Sequence, residues 1–432
     1  MTAKSRSKLL STYRKMTSIA EPLAARLLRQ RLARGKEDED RLPERLGRPG
    51  RVRPKGPLVW IHAASVGESV SVLPLIRELG AVRPDANVLV TTGTVTSGRV
   101  MVERLPPHAF HQFVPVDTPT AVRAFLDYWK PSLALWVESE LWPNMLYEVH
   151  ERQVPVVLLN ARMSDSSFRN WQRAKRAAAE LLETFDLCLA QDDDVADKLR
   201  KLGARHVETP GNLKLVGDPL PFDAEVLAEL RSAIGGRPMW LLASSHDGEE
   251  QLAAFVHRDL SHQFPKLLTI IVPRHPQRGP SIAASLEPLF RVARRSKGEL
   301  PTKETELYIA DTLGELGVFY RLCPLAVMGG SFVPHGGQNP LEPARLGAAV
   351  LSGPHIDNFR EIFGILAASG GAEVLTSNDQ LTGRVGFLLD NDIETMQRGQ
   401  AAAKVAGSKE PLVRTFEFLA PYLRALDANA RA

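Results

Sequence analysis

Short apolar runs alternate with helical patterns along most of this 432-residue chain. Eleven runs predict buried strands, five in the first half and six in the second: LVWIH, NVLVTTG, LALWVES, VPVVLLN, DLCLAQ, then MWLLASS, LLTIIVPR, ELYIAD, LAVMGGS, AVLSGP and AEVLTS. Such alternation is typical of parallel sheets covered by helices on both faces. A chain of this length is expected to form two domains. The pattern therefore predicts an α/β protein with two Rossmann-like domains that face each other across a central cleft.

The run GDPLPFD at residues 217–223 is rich in Gly and Pro and predicts a hinge between the domains. We therefore expect a basic arm at 1–40, an N-terminal domain at 41–216 and a C-terminal domain at 217–400. The last segment, 401–432, contains the helical pattern PLVRTFEFLAPYLRAL with no strand after it. This helix is expected either to cap the second domain or to cross back to the first.

Composition and missing motifs exclude several classes of protein. The chain is 44% apolar and 24% charged with a formal net charge of +4, as in soluble globular proteins, so charge alone does not imply nucleic-acid binding. The sequence has no G-x-G-x-x-G, Walker A, HExxH, CxxC or G-x-S-x-G motif. Cys188 and Cys323 lie in apolar runs, which predicts buried residues and no disulfide, consistent with a reducing compartment.

Residues 1–36 contain ten Lys or Arg and a single acid, Glu21. No uncharged run reaches the roughly 18 residues of a membrane span, and no secretory cleavage site is evident. A basic amphipathic helix is typical of a segment that lies on an anionic membrane surface, and packing on its own domain is the alternative. Pro22 is expected to kink or split the helix. Apolar residues recur there at three- and four-residue spacing: Leu9, Tyr13, Met16, Ala20, Leu23 and Leu27.

The stretch WIHAASVGESV places Glu68 where a predicted strand turns into a helix. An acid in the first helical turn interacts favourably with the helix dipole, by roughly 0.3–1 kcal/mol, so capping alone would explain it. The alternative is a general base, because ligands of open α/β sheets bind at the carboxyl ends of strands. This stretch alone leaves both interpretations open.

Polar groups also follow three predicted strands of the second half. Arg274 follows the strand in IIVPRHPQR, and Glu315 follows a Gly turn in ADTLGELG. In LAVMGGSFVPHGGQNPLEPARLGA, a strand leads through glycines into a helix whose first turn holds Asn339 and Pro340. Backbone N–H groups at a helix start bind phosphate or ribose oxygens, and arginine supplies charge for a phosphate. Together these features predict a nucleotide site.

In the first half, ESELWPN ends a strand with Glu138 and Glu140, and GNLKLV places Lys214 at another strand end. Two acids at one strand end are costly unless they are solvated or partnered. The five histidines near these loops lack metal-ligand spacing, so no metal is expected: His62, His246, His275, His335 and His355.

Taken together, these motifs resemble one family. The blocks ASVGES, ESELWPN, NARMSDSSF, GNLK, ASSHDGEE, VPRHP, DTLGEL and GGSFVPHGGQNPLEPA are similar to those of the 3-deoxy-D-manno-octulosonic acid (Kdo) transferases of Gram-negative bacteria. They extend from about residue 58 to 360, and the arm resembles the family's membrane-binding segment. The resemblance implies a GT-B fold and transfer of Kdo from CMP-Kdo to a lipid A precursor in lipopolysaccharide biosynthesis, with inversion. It also implies a location at the cytoplasmic face of the cell inner membrane.

The resemblance implies roles for individual residues. Glu68 matches the family's proton acceptor, and Glu138 and Lys214 match residues assigned to transition-state stabilisation. The residues that match CMP contacts fall in three blocks: Pro273 and Arg274; Leu313, Gly314 and Glu315; and Asn339, Pro340, Leu341 and Glu342. No cofactor is implied, since a CMP-sugar has one phosphate and needs no diphosphate-chelating metal.

The sequence departs from the family's pattern in two places. The family's STHxGEE form is ASSHDGEE here, and the arm is less apolar than in familiar members, which puts an integral anchor in doubt.

Three other functions are alternatives. The nearest is a GT-B enzyme or epimerase that acts on a UDP-sugar, and a comparison of CMP binding with UDP binding would distinguish it. A non-catalytic membrane adaptor would have no need of Glu68, Arg274 and Glu342. A nucleic-acid partner is not expected, because few aromatics interleave with the basic residues of the arm.

Overall fold

In a computed structural model, the protein is described at residues 7–138 and 140–429. These described residues divide into two compact units, one lying before residue 217 together with 409–429, and the other formed by residues 217–408. We call these the N-terminal and C-terminal domains. The chain crosses between them at Val216 and Gly217, beside the Gly- and Pro-rich run. Residues 401–408 belong to the C-terminal domain, so only the helix that follows returns to the first.

The N-terminal domain contains a parallel sheet, seven strands wide in the described residues, with order β3-β2-β1-β4-β5-β6-β7. Its strands are β1 (Leu58–His62), β2 (Asn87–Thr92), β3 (Ala109–Phe113), β4 (Leu133–Val137), β5 (Val156–Ala161), β6 (Leu187–Ala190) and β7 (Val207–Glu208). The order reverses direction between β1 and β4. At such a switch point the connecting loops part and leave a crevice outside the carboxyl ends of the strands.

The C-terminal domain repeats this architecture. Its parallel sheet has the order β10-β11-β9-β8-β12-β13-β14, again counted over the described chain. The strands are β8 (Met239–Ser245), β9 (Leu268–Pro273), β10 (Val292–Arg294), β11 (Leu307–Ile309), β12 (Leu325–Met328), β13 (Ala349–Ser352) and β14 (Ala372–Val374). Here the order reverses between β8 and β12.

Helices connect the strands. Before the hinge these are α1 (Lys8–Ile19), α2 (Glu21–Ala33), α3 (Val66–Ser71), α4 (Leu73–Val82), α5 (Val95–Arg104), α6 (Pro119–Trp129), α7 (Pro143–Glu151), α8 (Asp165–Arg173), α9 (Lys175–Leu182) and α10 (Asp193–Leu202). After it come α11 (Ala224–Ile234), α12 (Glu249–Leu260), α13 (Gly279–Leu286), α14 (Leu316–Leu322), α15 (Leu341–Arg345), α16 (Arg360–Ala368), α17 (Gln380–Asp390), α18 (Asp392–Ala406) and α19 (Glu410–Asn429). Short 3₁₀ turns lie at Leu42–Leu46, Leu213–Leu215, Pro276–Arg278 and Arg295–Lys297.

Both faces of the first sheet are buried. Trp60 and Trp136 point to one face, where their rings meet edge to face with centroids 5.2 Å apart. Val59 and Ile61 point to the other face, which α19 covers through leucines that include Leu419. Because side chains alternate along a strand and both faces pack against helices, nearly every position of a central strand is apolar. This is why the central strands are readable as continuous apolar runs.

Three strands were not predicted: β3, β7 and β10. Each is an edge strand of its sheet, and their sequences AFHQF, VE and VAR are short or carry polar residues. An edge strand has one neighbour and a partly exposed face, so it lacks the continuous apolar pattern.

Candidate functional site

Glu68 is the third residue of α3, directly beyond the carboxyl end of β1. Its side chain is 9% exposed and accepts hydrogen bonds from Ala64 N–H at 2.8 Å and from the Ser65 hydroxyl at 2.8 Å. Ser65 caps the helix in turn, since its oxygen accepts a bond from Glu68 N–H at 3.3 Å. The contacts expected of a helix cap are therefore present, and they hold the Glu68 carboxyl group in one orientation.

Burial raises the pKa of Glu68 above its ordinary value, and the charges of Glu138 and Glu140 raise it further. The hydrogen bonds from Ser65 and Ala64 act in the opposite direction, because they favour the ionised form. A carboxyl group in this state binds a proton more readily than a solvated one. It has the electrostatic environment of a general base.

Glu138 follows β4, the neighbour of β1 across the switch point. Its backbone lies in the left-handed region with φ 61°, and its carboxylate forms an ion pair with Lys214. The pair is largely buried, with 9% of the Glu138 side chain and 25% of the Lys214 side chain exposed. The negative charge of Glu138 acts on Glu68, and Lys214 is the partner of that charge.

Lys214 reaches β4 although it follows β7, the strand at the edge of the sheet. The 3₁₀ turn Leu213–Leu215 is fixed by Asn160, whose side-chain oxygen accepts the Leu213 N–H at 2.9 Å. Asn212 accepts the Lys214 N–H at 2.9 Å. Asn160 was not among the predicted site residues. Its position at the end of the predicted strand VPVVLLN could have indicated that it belongs to the site.

Glu140 is held by two indoles. Trp142 donates to its carboxylate at 2.6 Å, and Trp136 donates to its backbone carbonyl. Glu68, Glu138 and Glu140 thus form an acidic group at the carboxyl ends of β1 and β4. Two acids at one strand end were expected to be costly unless each has a partner. Glu138 has the cation of Lys214 as its partner, and Glu140 has the indole N–H of Trp142.

In the C-terminal domain, the predicted CMP contacts follow β9, β11 and β12. Pro273 ends β9, and Arg274 is anchored through its backbone N–H, which donates to Ser245 at 3.0 Å while the side chain is exposed. Leu313 is 85% exposed on the β11 loop, where Gly314 adopts φ 85°. A left-handed turn of this kind favours glycine and presents its neighbours to solvent.

Glu315 forms a bidentate ion pair with Arg295, with the shortest contact at 2.8 Å, and Thr312 also donates to it. Burial acts to raise the pKa of Glu315, but the bonds from Arg295 and Thr312 outweigh it and hold the pKa below its ordinary value. Glu315 is therefore ionised at neutral pH, and its charge is already partnered within the domain.

The Asn339–Glu342 block differs from the predicted helix start. The helix begins at Leu341, one residue after Pro340, and has five residues. The Leu341 N–H donates to the Asn339 side chain at 3.1 Å, and Asn339 donates to Glu342 at 3.4 Å. One backbone N–H of this helix start is therefore already paired within the chain, with the Asn339 side chain.

Sequence analysis also missed Glu249, which is 1% exposed. Its carboxylate accepts four backbone N–H groups, including Gly330 at 2.7 Å and Phe332 at 2.9 Å, and so ties α12 to the glycine loop after β12. Beside this loop, His246 stacks on His335 with ring centroids 4.2 Å apart. Among residues 7–138 and 140–429, no group of three or more His, Cys, Asp or Glu has metal-site geometry.

The N-terminal arm is split into α1 and α2 at Ala20, with Pro22 in the first turn of the second helix. It packs on its own domain: Tyr13 donates to Asp117 at 3.0 Å, Arg14 pairs with Glu148, and Leu28 is buried. None of the helices described in the structure combines the length and apolar character required to cross a membrane. In the described part of the arm, from residue 7 on, five apolar side chains remain more than half exposed: Leu9, Met16, Ile19, Leu23 and Leu27.

Comparison with known proteins identifies the family. A family profile for "3-Deoxy-D-manno-octulosonic-acid transferase (kdotransferase)" matches residues 40–216. The chain is 36% identical to a probable mitochondrial 3-deoxy-D-manno-octulosonic acid transferase of Arabidopsis thaliana, over 89% of this chain and 90% of that protein. It is 33% identical to the 3-deoxy-D-manno-octulosonic acid transferase of Haemophilus influenzae, over 95% of this chain and 98% of that one.

The solved structures agree with the fold. UDP-GlcNAc 2-epimerase from Neisseria meningitidis, bound to UDP-GlcNAc, covers 84% of this chain and 99% of its own, with a TM-score of 0.57 at 12% identity. At that identity the likeness concerns the fold alone, and it confirms the predicted α/β GT-B fold class. Sequence identity over nearly the full length of its relatives then decides the family: the chain belongs to the 3-deoxy-D-manno-octulosonic acid transferases, a family of glycosyltransferases.

Proposed function

We propose that this enzyme transfers Kdo from CMP-Kdo to a sugar hydroxyl of a lipid A precursor, with inversion of the donor's anomeric configuration. Glu68 acts as the general base. The observation that carries this proposal is the buried Glu68 carboxyl group at the β1–β4 switch point, with its raised pKa and fixed orientation. Family membership supplies the transferred sugar, since the relatives are named as transferases of that sugar.

The proposed step is a direct displacement. The acceptor hydroxyl oxygen attacks the anomeric carbon of Kdo while Glu68 removes its proton. The bond from the anomeric carbon to the CMP phosphate oxygen breaks, and its electron pair leaves with CMP. The Glu138–Lys214 pair stabilises the charge that develops near the sugar, because fixed charges in a buried site need no reorganisation during the reaction.

We assign CMP to the carboxyl edge of the second sheet, where residues 273–274, 313–315 and 339–342 follow β9, β11 and β12. The exposed Arg274 guanidinium is available to a phosphate, and Asn339 and Glu342 offer polar groups to a ribose or base. The reaction as proposed uses no cofactor and no metal.

We further propose that the arm lies on an anionic membrane at the cytoplasmic face of the inner membrane. Its exposed apolar side chains and the exposed Lys15, Arg26 and Arg29 support this. This location would bring the enzyme to a lipid-linked acceptor, because the sugar of such an acceptor lies at the membrane surface.

The test is Glu68→Gln, with Glu78→Gln as the matched control, since Glu78 is an exposed glutamate on α4. Glu68→Gln should lower transfer from CMP-Kdo by ~10²-fold or more, because the amide cannot accept the proton. The control should keep wild-type turnover. Product mass spectrometry with CMP-Kdo generated in situ measures both.

Thermal unfolding separates catalysis from folding. The folded-state pKa of Glu68 is raised, so ionisation costs the folded state stability as pH rises above the ordinary carboxyl pKa. Gln removes this cost and keeps one acceptor oxygen, so the Tm at neutral pH should be nearly unchanged. Near-normal turnover of Glu68→Gln would contradict the role of Glu68.

A further inference from the structure

A groove of about 600 Å³ lies between the arm and the loops that follow β3 and β4. It belongs wholly to the N-terminal domain. The arm contributes Ala20, Leu23, Ala24 and Leu27, and the loops contribute apolar side chains that include Val116 and Leu141. Leu23 and Leu27 are 65% and 56% exposed, so this apolar wall faces solvent.

The groove is a formed feature, because its floor is tied down by hydrogen bonds. Asp117 is 9% exposed and accepts bonds from the Tyr13 hydroxyl at 3.0 Å, the Asn144 N–H at 3.2 Å and the Met145 N–H at 2.9 Å. One side chain thus fixes α1 against α7. The floor of the groove between these two helices is therefore held in place.

The groove leads to the base. Glu140 lines it together with Trp142, whose indole donates to the Glu140 carboxylate. Glu140 and Trp142 follow β4, and Glu68 follows β1, which pairs with β4 in the sheet with His62 opposite Trp136. The His62 ring at the end of β1 lies 5.9 Å from the Trp142 ring, centroid to centroid. A molecule that fills the groove therefore has one end at the strand ends that carry the residue we assign as the general base.

The charged groups that line the groove already have partners within the chain. Arg45 is buried and pairs with Glu37, Asp117 accepts the three hydrogen bonds given above, and Glu140 accepts the Trp142 indole N–H. The surface left for a ligand is therefore the apolar wall, which matches an apolar chain. Burial of each methylene contributes about 0.8 kcal/mol, which is roughly fourfold in affinity.

We propose that this groove binds one acyl chain of the acceptor lipid and thereby places the acceptor's sugar hydroxyl beside Glu68. The inference rests on the proposed function and deepens it by assigning the acceptor's chain to a site. The arm is then part of the acceptor site as well as a membrane contact.

Ala24→Trp tests the proposal, because Ala24 is half-buried on the groove wall and an indole there fills the groove without making it less apolar. Ala33→Trp is the matched control: the same substitution, exposed at the end of the same helix and outside the groove. KM and kcat are measured for an acylated acceptor and for its fully deacylated counterpart, together with CMP affinity and vesicle co-sedimentation. Ala24→Leu is measured as a smaller obstruction, so that a folding defect in Ala24→Trp does not prevent the test.

We expect Ala24→Trp to raise KM for the acylated acceptor tenfold or more, with a smaller rise for Ala24→Leu. KM for the deacylated acceptor, CMP affinity and vesicle binding should stay at wild-type values, as should everything measured for Ala33→Trp. Equal KM in Ala24→Trp and Ala33→Trp, or equal effects on both acceptors, would overturn the proposal. Loss of vesicle binding that matches the change in KM would also overturn it, because the groove would then hold a membrane lipid.

The same experiment separates this inference from the proposed function. Absence of transfer by the wild-type enzyme to either acceptor contradicts the proposed function, and the inference fails with it. Wild-type transfer that is insensitive to Ala24 contradicts the groove alone.

Discussion

Lys214 forms an ion pair with Glu138 at the end of β4, although Lys214 follows β7 at the far edge of the same sheet. Because the Glu138 carboxylate is 9% exposed, removing its cation leaves a largely buried charge uncompensated. We expect Lys214→Met to lower transfer and to destabilise the fold by roughly 1–3 kcal/mol. Urea unfolding and single-turnover product formation measure the two effects.

The double variant Glu138→Gln/Lys214→Met distinguishes charge from packing. Since it carries no buried charge, it should recover most of the stability that Lys214→Met loses and none of the activity. Recovery of activity in the double variant would show that the pair acts only through folding. Lys201→Met, an exposed lysine of α10, is the control.

Glu140 provides a pH test of the base. Its negative charge contributes to the raised pKa of Glu68, so removing that charge should lower the pKa of Glu68. A base must be unprotonated, so the acidic limb of kcat/KM should move to lower pH in Glu140→Gln. Gln retains an acceptor for the Trp142 indole. An acidic limb at the wild-type position in this variant would show that Glu68 is not the group that titrates.

The CMP site is tested by binding. Arg274→Ala should weaken CMP by tenfold or more, because a charge-assisted bond to phosphate is lost, and Glu342→Ala should also weaken it. Arg291→Ala is the control, since Arg291 is exposed in the same domain and pairs with Glu306. Calorimetry with CMP and UDP also addresses the UDP-sugar alternative. If both site variants bind CMP as the wild type does, or if UDP binds more tightly, the assignment of the nucleotide is wrong.

The arm is better tested by substitution than by deletion, because Tyr13, Arg14 and Leu28 dock it on the domain. Met16→Ser/Ile19→Ser removes two side chains that are 65% and 81% exposed. It should reduce co-sedimentation with anionic vesicles even at high salt, where apolar burial persists and charge is screened. Lys15→Gln/Arg26→Gln/Arg29→Gln should reduce it at low salt only, by about 1 kcal/mol per residue.

The matched control is Val102→Ser, an exposed apolar residue of α5 that is 68% exposed and lies outside the arm. Vesicle binding by this variant should equal that of the wild type. If Val102→Ser reduces binding as much as the arm variants do, the membrane contact is not on the arm.

The strands that could be predicted from the sequence are the central ones. LVWIH, LALWV and LTIIVP are apolar at nearly every position because helices cover both faces of each sheet, and the structure gives β1, β4 and β9 there. The edge strands β3, β7 and β10 escaped prediction for the converse reason. The split of the arm near Pro22 was also predictable, since proline lacks the N–H of a helix interior.

By itself the sequence determined the α/β class, the Gly- and Pro-rich crossover at 217 and the residue types at the strand ends, because these depend on local pattern. Only the tertiary structure decided which of those residues meet. The turn after β7 is held by Asn160 at the end of β5, so Lys214 reaches Glu138 across the sheet. Strand order places β8 beside β12, so the buried Glu249 carboxylate at the start of α12 can bind the loop after β12. Burial likewise arises only from packing, and it is burial that raises the pKa of Glu68.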